Sequence, residues 1–251
     1  MWYFYFCISI EKKTEKKGYQ MLEELKKQVY EANLELVKQK VVIYTWGNVS
    51  GIDRDKGLVV IKPSGIPYED MTAEDMVVVD AETGGTVEGK WNPSSDTATH
   101  LELYRACPSI GGVTHTHSVN AVAFAQAGMD IPSLGTTHAD YFYGDIPCTR
   151  YLTKEEAETD YEAHTGQIIL ETIRERKQDI EAVPAILVRN HGPFAWGKDA
   201  AEAVYHAVVL EMVAEMAMKT KLLNPDSSMP LYVLDVHYRR KHGPGASYGQ
   251  K

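Results

Sequence analysis

The chain has 251 residues, 44% of them hydrophobic, and a formal net charge of -9 from 26 basic and 35 acidic side chains. That length and apolar content suffice for one large domain with a substantial core. The acidic balance excludes phosphate-backbone binding as the main role, so no nucleic-acid partner is expected, although a local basic pocket for a small anion stays open.

The opening residues, Met1 to Ile10, are apolar but only half as long as a membrane span, and their lysines follow rather than precede them. Neither an anchor nor a signal peptide is expected there. Residues 1–20 read as an extension outside the fold, with one domain over residues 21–251. Cys7, Cys107 and Cys148 are too scattered for a disulfide framework, which fits a cytoplasmic location. From Leu22 to about Val37, Leu22, Leu25, Val29 and Leu36 recur at helical spacing and predict a surface helix. Asn48–Ile52 and Leu58–Ile61 read as a hairpin across the Asp53–Gly57 turn. Met76–Val79 is a further strand, turned by Glu82–Gly85 toward Thr86–Val87. Thr97–Cys107 reads as a helix stopped by Pro108, and a strand through His115 and His117 follows. Ala121–Ala127 suits a short helix, Tyr161–Arg176 a longer one, and Ala185–Val188 a buried strand ending at Asn190-His191-Gly192. A long helix over Asp199–Leu223 carries Val204, Val208, Met212 and Met216 on one stripe, read as core. No repeat or long linker divides the pattern. Early hairpins followed by interleaved helices predict an α/β or α+β sandwich around a sheet with substantial antiparallel pairing. Neither a Gly-x-Gly-x-x-Gly turn nor a phosphate-binding Gly-x-x-x-x-Gly-Lys-Ser/Thr loop is present, so no nucleotide cofactor is expected.

A strand turns every second side chain to the same face, so His115 and His117 point into one space. Imidazole is a common ligand for zinc and other first-row metals. An isolated His-x-His more often faces solvent or satisfies core hydrogen bonds, so other residues must decide the matter. His191 sits where an apolar run ends and Gly192 allows a sharp turn, which makes it a third candidate ligand. Ser94 and Ser95 precede the Thr97 helix, where unsatisfied N–H donors favour phosphate, although an ordinary helix cap gives the same pattern. Lys62-Pro63-Ser64-Gly65 adds a cation at a strand end, or is simply a turn with a solvated lysine. Together with Asn48, these turns are able to converge on one phosphate.

Taken in order, Gly47-Asn48-Val49-Ser50, Lys62-Pro63-Ser64-Gly65, Ser94-Ser95-Asp96, His115-Thr116-His117 and Asn190-His191-Gly192 resemble the class II aldolase/epimerase (adducin-like) family. The segment Thr136–Pro147 and the tail Tyr248-Gly249-Gln250 narrow the resemblance to its epimerases, from about Met21 to the C-terminus. The resemblance implies a single-domain, three-layer α/β/α sandwich on a mainly antiparallel sheet, assembled as a homotetramer with active sites between subunits. It also implies metal-dependent interconversion of L-ribulose 5-phosphate and D-xylulose 5-phosphate, a small phosphorylated ketopentose pair of sugar catabolism such as that of arabinose. By the same resemblance, His115, His117 and His191 hold Zn2+, with Asp96 completing the coordination; manganese or cobalt suits the same site. Asn48, Lys62, Ser64, Gly65, Ser94 and Ser95 match phosphate-pocket positions. Asp140 and Tyr248 match the acid/base pair, the tyrosine reaching in from a neighbouring subunit, and Thr136, Glu162 and His237 match accessory positions. Related aldolases carry a glutamate where this chain has Asp96, and the extension before Met21 departs from the epimerase pattern.

Overall fold

Strands β1 (Asn48–Asp53) and β2 (Leu58–Ile61) pair antiparallel across the predicted turn, with Ser50 opposite Ile61 and Asp53 opposite Leu58. The computed structural model describes residues 22–243 and Ala246; helix α1 spans 22–38 within them. The remaining elements follow in chain order: β3 (Val77–Asp80), β4 (Thr86–Glu88), α2 (Thr97–Ala106), β5 (Gly112–His115), α3 (Val119–Ala127) and α4 (Thr136–Ala139). After these come α5 (Lys154–Thr159), α6 (Tyr161–Glu175), β6 (Ala185–Leu187), β7 (Pro193–Gly197), α7 (Ala200–Leu223) and α8 (Leu231–His242). The strands form one seven-stranded sheet in the order β4-β3-β2-β1-β5-β7-β6, with antiparallel pairing throughout.

Period-two alternation splits the core between the two faces of this sheet. Val59, Ile61, Val77 and Val79 pack with Leu101, Leu103 and Tyr104 of α2 and Ile168, Ile169 and Ile173 of α6. Val49, Val60 and Val78 face the other way, against Val29 and Leu36 of α1 and Val204 of α7, while Ala185, Leu187 and Ala195 meet α3 and the middle of α7. Each such side chain withdrawn fully from water contributes about 1.5–3 kcal/mol. The result is the expected three-layer sandwich in a single domain.

Three features differ from the sequence reading. The buried face of α7 is Ala200, Ala203, Val204, Ala207, Leu210, Val213, Ala214 and Ala217, whereas Met212 and Met216 are each 45% exposed. Apolar residues surround this helix almost completely, so periodicity does not select a face; close approach to the sheet does. At the helix start, a β-carbon on Gly112 would lie 2.3 Å from the carbonyl of Asp199, a spacing only small residues permit. The chain also turns back after His191 into β7, which pairs with β5 and β6 and was not predicted. Helices α4, α5 and α8 were likewise unpredicted. Among the described residues no helix is long and apolar enough to cross a membrane.

Candidate active site

Strand β5 ends at His115, and His117 follows two residues on, its ring centre 4.9 Å from that of His115. On the neighbouring strand pair, β6 runs into a tight turn in which Val188 N–H donates to Gly192 O at 2.9 Å and His191 N–H to Val188 O at 3.0 Å. Asn190 supplies the left-handed residue of that turn, with φ of 61°. This geometry aims His191 at the end of β5. One potential ligand nitrogen from each of His115, His117 and His191 lies within 4.8 Å of the other two.

The tautomer of His115 is set from behind. Its Nδ1 lies 3.0 Å from the Pro193 carbonyl, which accepts only, so Nδ1 carries the hydrogen and donates. Its Nε2 is left as a buried acceptor with no protein partner, and Phe194 stacks on the ring at 4.3 Å between centroids. Burial, then the neighbouring His115, pushes His191 down to about 3, and burial likewise lowers His117. Neutral imidazoles with a lone pair turned inward are the form in which histidine binds a metal, and a backbone carbonyl on the far nitrogen is the usual outer support. The three residues therefore fit a divalent ion.

Asp96 occupies the N-cap position of α2 but makes no capping bond; its Oδ2 accepts from Asn48 Nδ2 at 2.5 Å instead. It lines the same cavity as the histidines without belonging to the set of three mutually close ligand atoms. Burial opposes its ionisation, yet the imidazoles of His115, His100 and His191 and the Asn48 amide hold it below the usual carboxylate range. Glu162, beside it, is pushed up to about 7 by burial and by the charge of Asp96, and accepts from Thr99 Oγ1 at 3.1 Å.

The other end of this cavity, whose volume is about 400 Å³, is built from turns. Ser64 N–H donates to Asn92 O at 2.9 Å and Ser94 N–H to Lys62 O at 3.0 Å, which ties the Lys62–Gly65 turn to the Ser94-Ser95 turn. Gly65 takes a positive φ of 69° there. Lys62 is only 2% exposed and makes no ion pair among the described residues. Its Nζ donates to the carbonyls of Pro63 at 3.2 Å and Ile66 at 3.0 Å and lies 4.8 Å from the centre of the Tyr68 ring. Burial pushes this ammonium down to about 8. A buried cation held by neutral groups favours an anionic ligand, and Asn48, Ser64, Gly65, Ser94 and Ser95 line the space around it.

Asp140, Thr136 and His237 do not line this cavity in one chain. Asp140 closes α4 and is met by α8: His237 Nδ1 lies 3.0 Å from Oδ1, and Arg240 and Lys241 stand 3.2 and 3.5 Å from Oδ2. Burial raises its pKa, but the His237 and Arg240 hydrogen bonds hold it below the usual range. Tyr248 lies outside the described residues. The sequence reading missed Trp46 and Tyr161, which flank the histidines; Tyr161 Oη stands 3.5 Å from His191 Nδ1. It also missed the buried His100 and Tyr68, neither of which lies in a short motif.

An antiparallel sandwich carrying three convergent histidines and a buried lysine in one cavity is the arrangement of a metal-dependent enzyme. The sequence matches the Class II Aldolase and Adducin N-terminal domain family over residues 27–218, and the chain belongs to that family. Class II aldolases are divalent-metal-dependent, with retro-aldol and epimerase chemistry, and the histidine cluster supplies the matching donors. Among solved structures, L-fuculose 1-phosphate aldolase is similar with a TM-score of 0.72 and 24% identity, over 86% of this chain and 95% of that one. YgbL from Klebsiella pneumoniae, for which an aldolase, epimerase or decarboxylase activity is suggested, gives 0.68 and 20%, over 86% of this chain and 98% of that one. L-fuculose-1-phosphate aldolase from Thermus thermophilus gives 0.61 and 24%, over 83% and 99% respectively. At these identities the likeness is one of fold.

Proposed function

We propose that this chain interconverts L-ribulose 5-phosphate and D-xylulose 5-phosphate with zinc as its metal. The observation that carries the proposal is a single cavity joining the His115, His117 and His191 donors to the buried Lys62 and its turn residues. Such a cavity suits a short sugar with a phosphate at one end and vicinal oxygens at the other.

Inverting C4 by removing its hydrogen is poor chemistry, because C4 is not adjacent to the C2 carbonyl and the electron pair has no sink. Cleaving C3–C4 solves this. A base takes the C4 hydroxyl proton, the C4–O bond becomes a carbonyl, and the C3–C4 pair moves onto the C2–C3 fragment. Glycolaldehyde phosphate is released within the site, its aldehyde turns, and re-addition to the opposite face gives the other epimer. A divalent ion held by His115, His117 and His191, with Asp96 alongside, supplies the Lewis acidity that offsets the charge gathered on the sugar oxygens. Lys62, Asn48, Ser64, Gly65, Ser94 and Ser95 keep the phosphate in place while the aldehyde turns, so that recombination outruns escape.

Epimerisation also needs an acid and a base on opposite faces. We assign these to Asp140 and Tyr248, with Thr136, Glu162 and His237 as accessory groups. Asp140 stands apart from the cavity of its own chain, which favours a homotetramer whose neighbouring subunits complete each site. The test is incubation of the metal-loaded protein with L-ribulose 5-phosphate. Accumulation of D-xylulose 5-phosphate without free aldehyde is the expected outcome; stoichiometric glycolaldehyde phosphate would identify an aldolase instead.

A further inference from the structure

Beneath the histidine cluster lies a polar layer, His100, Ser50 and Tyr104, that none of these roles uses. His100 is fully buried on α2, one turn after Asp96, and a helical side chain leans toward the helix N-terminus, over the turn that Asp96 begins. Asn48 and Ser50 share one face of β1 and meet α2 as two rungs. Asn48 donates to Asp96, and Ser50 Oγ lies 2.7 Å from His100 Nδ1. Ser50 Oγ also lies 2.8 Å from Tyr104 Oη.

A serine hydroxyl has one proton, so Ser50 donates to only one of these two neighbours. A phenol is the stronger donor and the weaker acceptor of the two hydroxyls, so Tyr104 donates its proton to Ser50. Ser50 in turn donates to His100 Nδ1. A neutral imidazole that accepts at Nδ1 carries its hydrogen on Nε2. That Nε2 is buried with no protein partner among the described residues, and Asp96, whose backbone carbonyl accepts from the His100 N–H, lies one turn earlier on the same face of α2. An N–H buried without an acceptor is costly, so a donor built at this depth points to an acceptor in the working site.

We propose that His100 is a positioning residue of the metal site: the chain Tyr104–Ser50–His100 presents an Nε2–H beside Asp96, and this donor fixes the orientation of the carboxylate for the metal. The inference rests on the metal-site reading above. A histidine that only fills space needs no particular tautomer, and a ring of similar size would replace it.

The first readout is the tautomer of His100 in long-range proton–nitrogen NMR spectra of the full chain, with and without zinc. An Nε2–H tautomer is expected in both, and an Nδ1–H tautomer overturns the proposal. The second is zinc affinity by competition with a chromophoric chelator. His100→Phe keeps a ring without the donor and is expected to bind zinc roughly 10- to 100-fold more weakly, as losses of outer ligand support do. His100→Gln, whose amide replaces the donor, recovers most of that affinity. Unchanged affinity in His100→Phe overturns the proposal. If that variant does not fold, Ser50→Ala carries the same test, because it frees the tautomer; a wild-type tautomer and affinity there would also overturn it. A wild-type chain that takes no zinc overturns the metal-site reading itself, and the proposal with it.

Discussion

Replacing Lys62 by methionine is expected to make the protein more stable and its substrate binding weaker in the same variant. The folded chain holds the Lys62 ammonium at 2% exposure with carbonyls and an aromatic ring but no carboxylate, and burial takes it from 10.5 to about 8. Below pH 8 the group is protonated whether folded or unfolded, and the full cost of burying the charge is present. Between pH 8 and 10.5 the unfolded chain binds more protons, so stability rises with pH through that window as the cost fades. Moving from 10.5 to about 8 corresponds to roughly 3 kcal/mol at pH 7. Methionine fills similar volume without the charge, so Lys62→Met should raise the melting temperature of the ligand-free protein, by less than the roughly 6–12 °C this figure alone gives for a chain of this size, because the Pro63 and Ile66 carbonyls lose their donor. Losing a charge-assisted contact to phosphate costs about 1.5–3 kcal/mol, so KM should rise roughly 10- to 150-fold. In the wild type, affinity should decline as pH rises above 8, where the free lysine loses its proton. Thermal unfolding at fixed protein concentration and steady-state kinetics read both effects. A variant that melts no higher than wild type, with KM unchanged, would refute the reasoning.

His117→Asn should lose metal with the fold retained; full occupancy by elemental analysis would argue against ligation. Tyr248→Phe is expected to lower kcat while zinc content and melting temperature stay at wild-type values, and normal turnover would remove the tyrosine from the acid/base pair. Gly47→Ala should destabilise by more than about 1 kcal/mol, because Gly47 adopts φ of 96° and a β-carbon there would lie 2.8 Å from both the His115 carbonyl and a Val42 methyl. Denaturant unfolding decides that case, and a midpoint equal to wild type would contradict it.

The parts of the fold that were legible in sequence are those with local signals. The β1–β2 hairpin announces itself through an Asp/Gly turn between apolar runs, and α2 through its Ser/Asp start and Pro108 stop. Strand β7 has no such signal: Pro-Phe-Ala-Trp-Gly begins with proline and ends with glycine, and its pairing to β5 spans some eighty residues of chain. Helix α8 is polar and is held by Asp140, Tyr143 and its own basic residues, contacts that leave no hydrophobic period. The candidate site divides the same way. His-x-His and Lys-Pro-Ser-Gly are short motifs whose order along the chain identifies them. His100, Tyr68 and Tyr161 matter through what folding brings beside them, and Asp140 stands in a cluster of its own with α8, away from the histidine cavity.

The central claim is that C4 inverts by carbon–carbon cleavage in the cavity of His115, His117, His191 and Lys62. Its most direct test is to run the zinc-loaded protein on L-ribulose 5-phosphate in deuterium oxide and read C4 of the product by NMR. The cleavage route keeps the original hydrogen on C4 throughout, so D-xylulose 5-phosphate should form with no deuterium there. Deuterium at C4 would mean that the hydrogen itself is removed, and no conversion at all would mean that the cavity serves a different substrate.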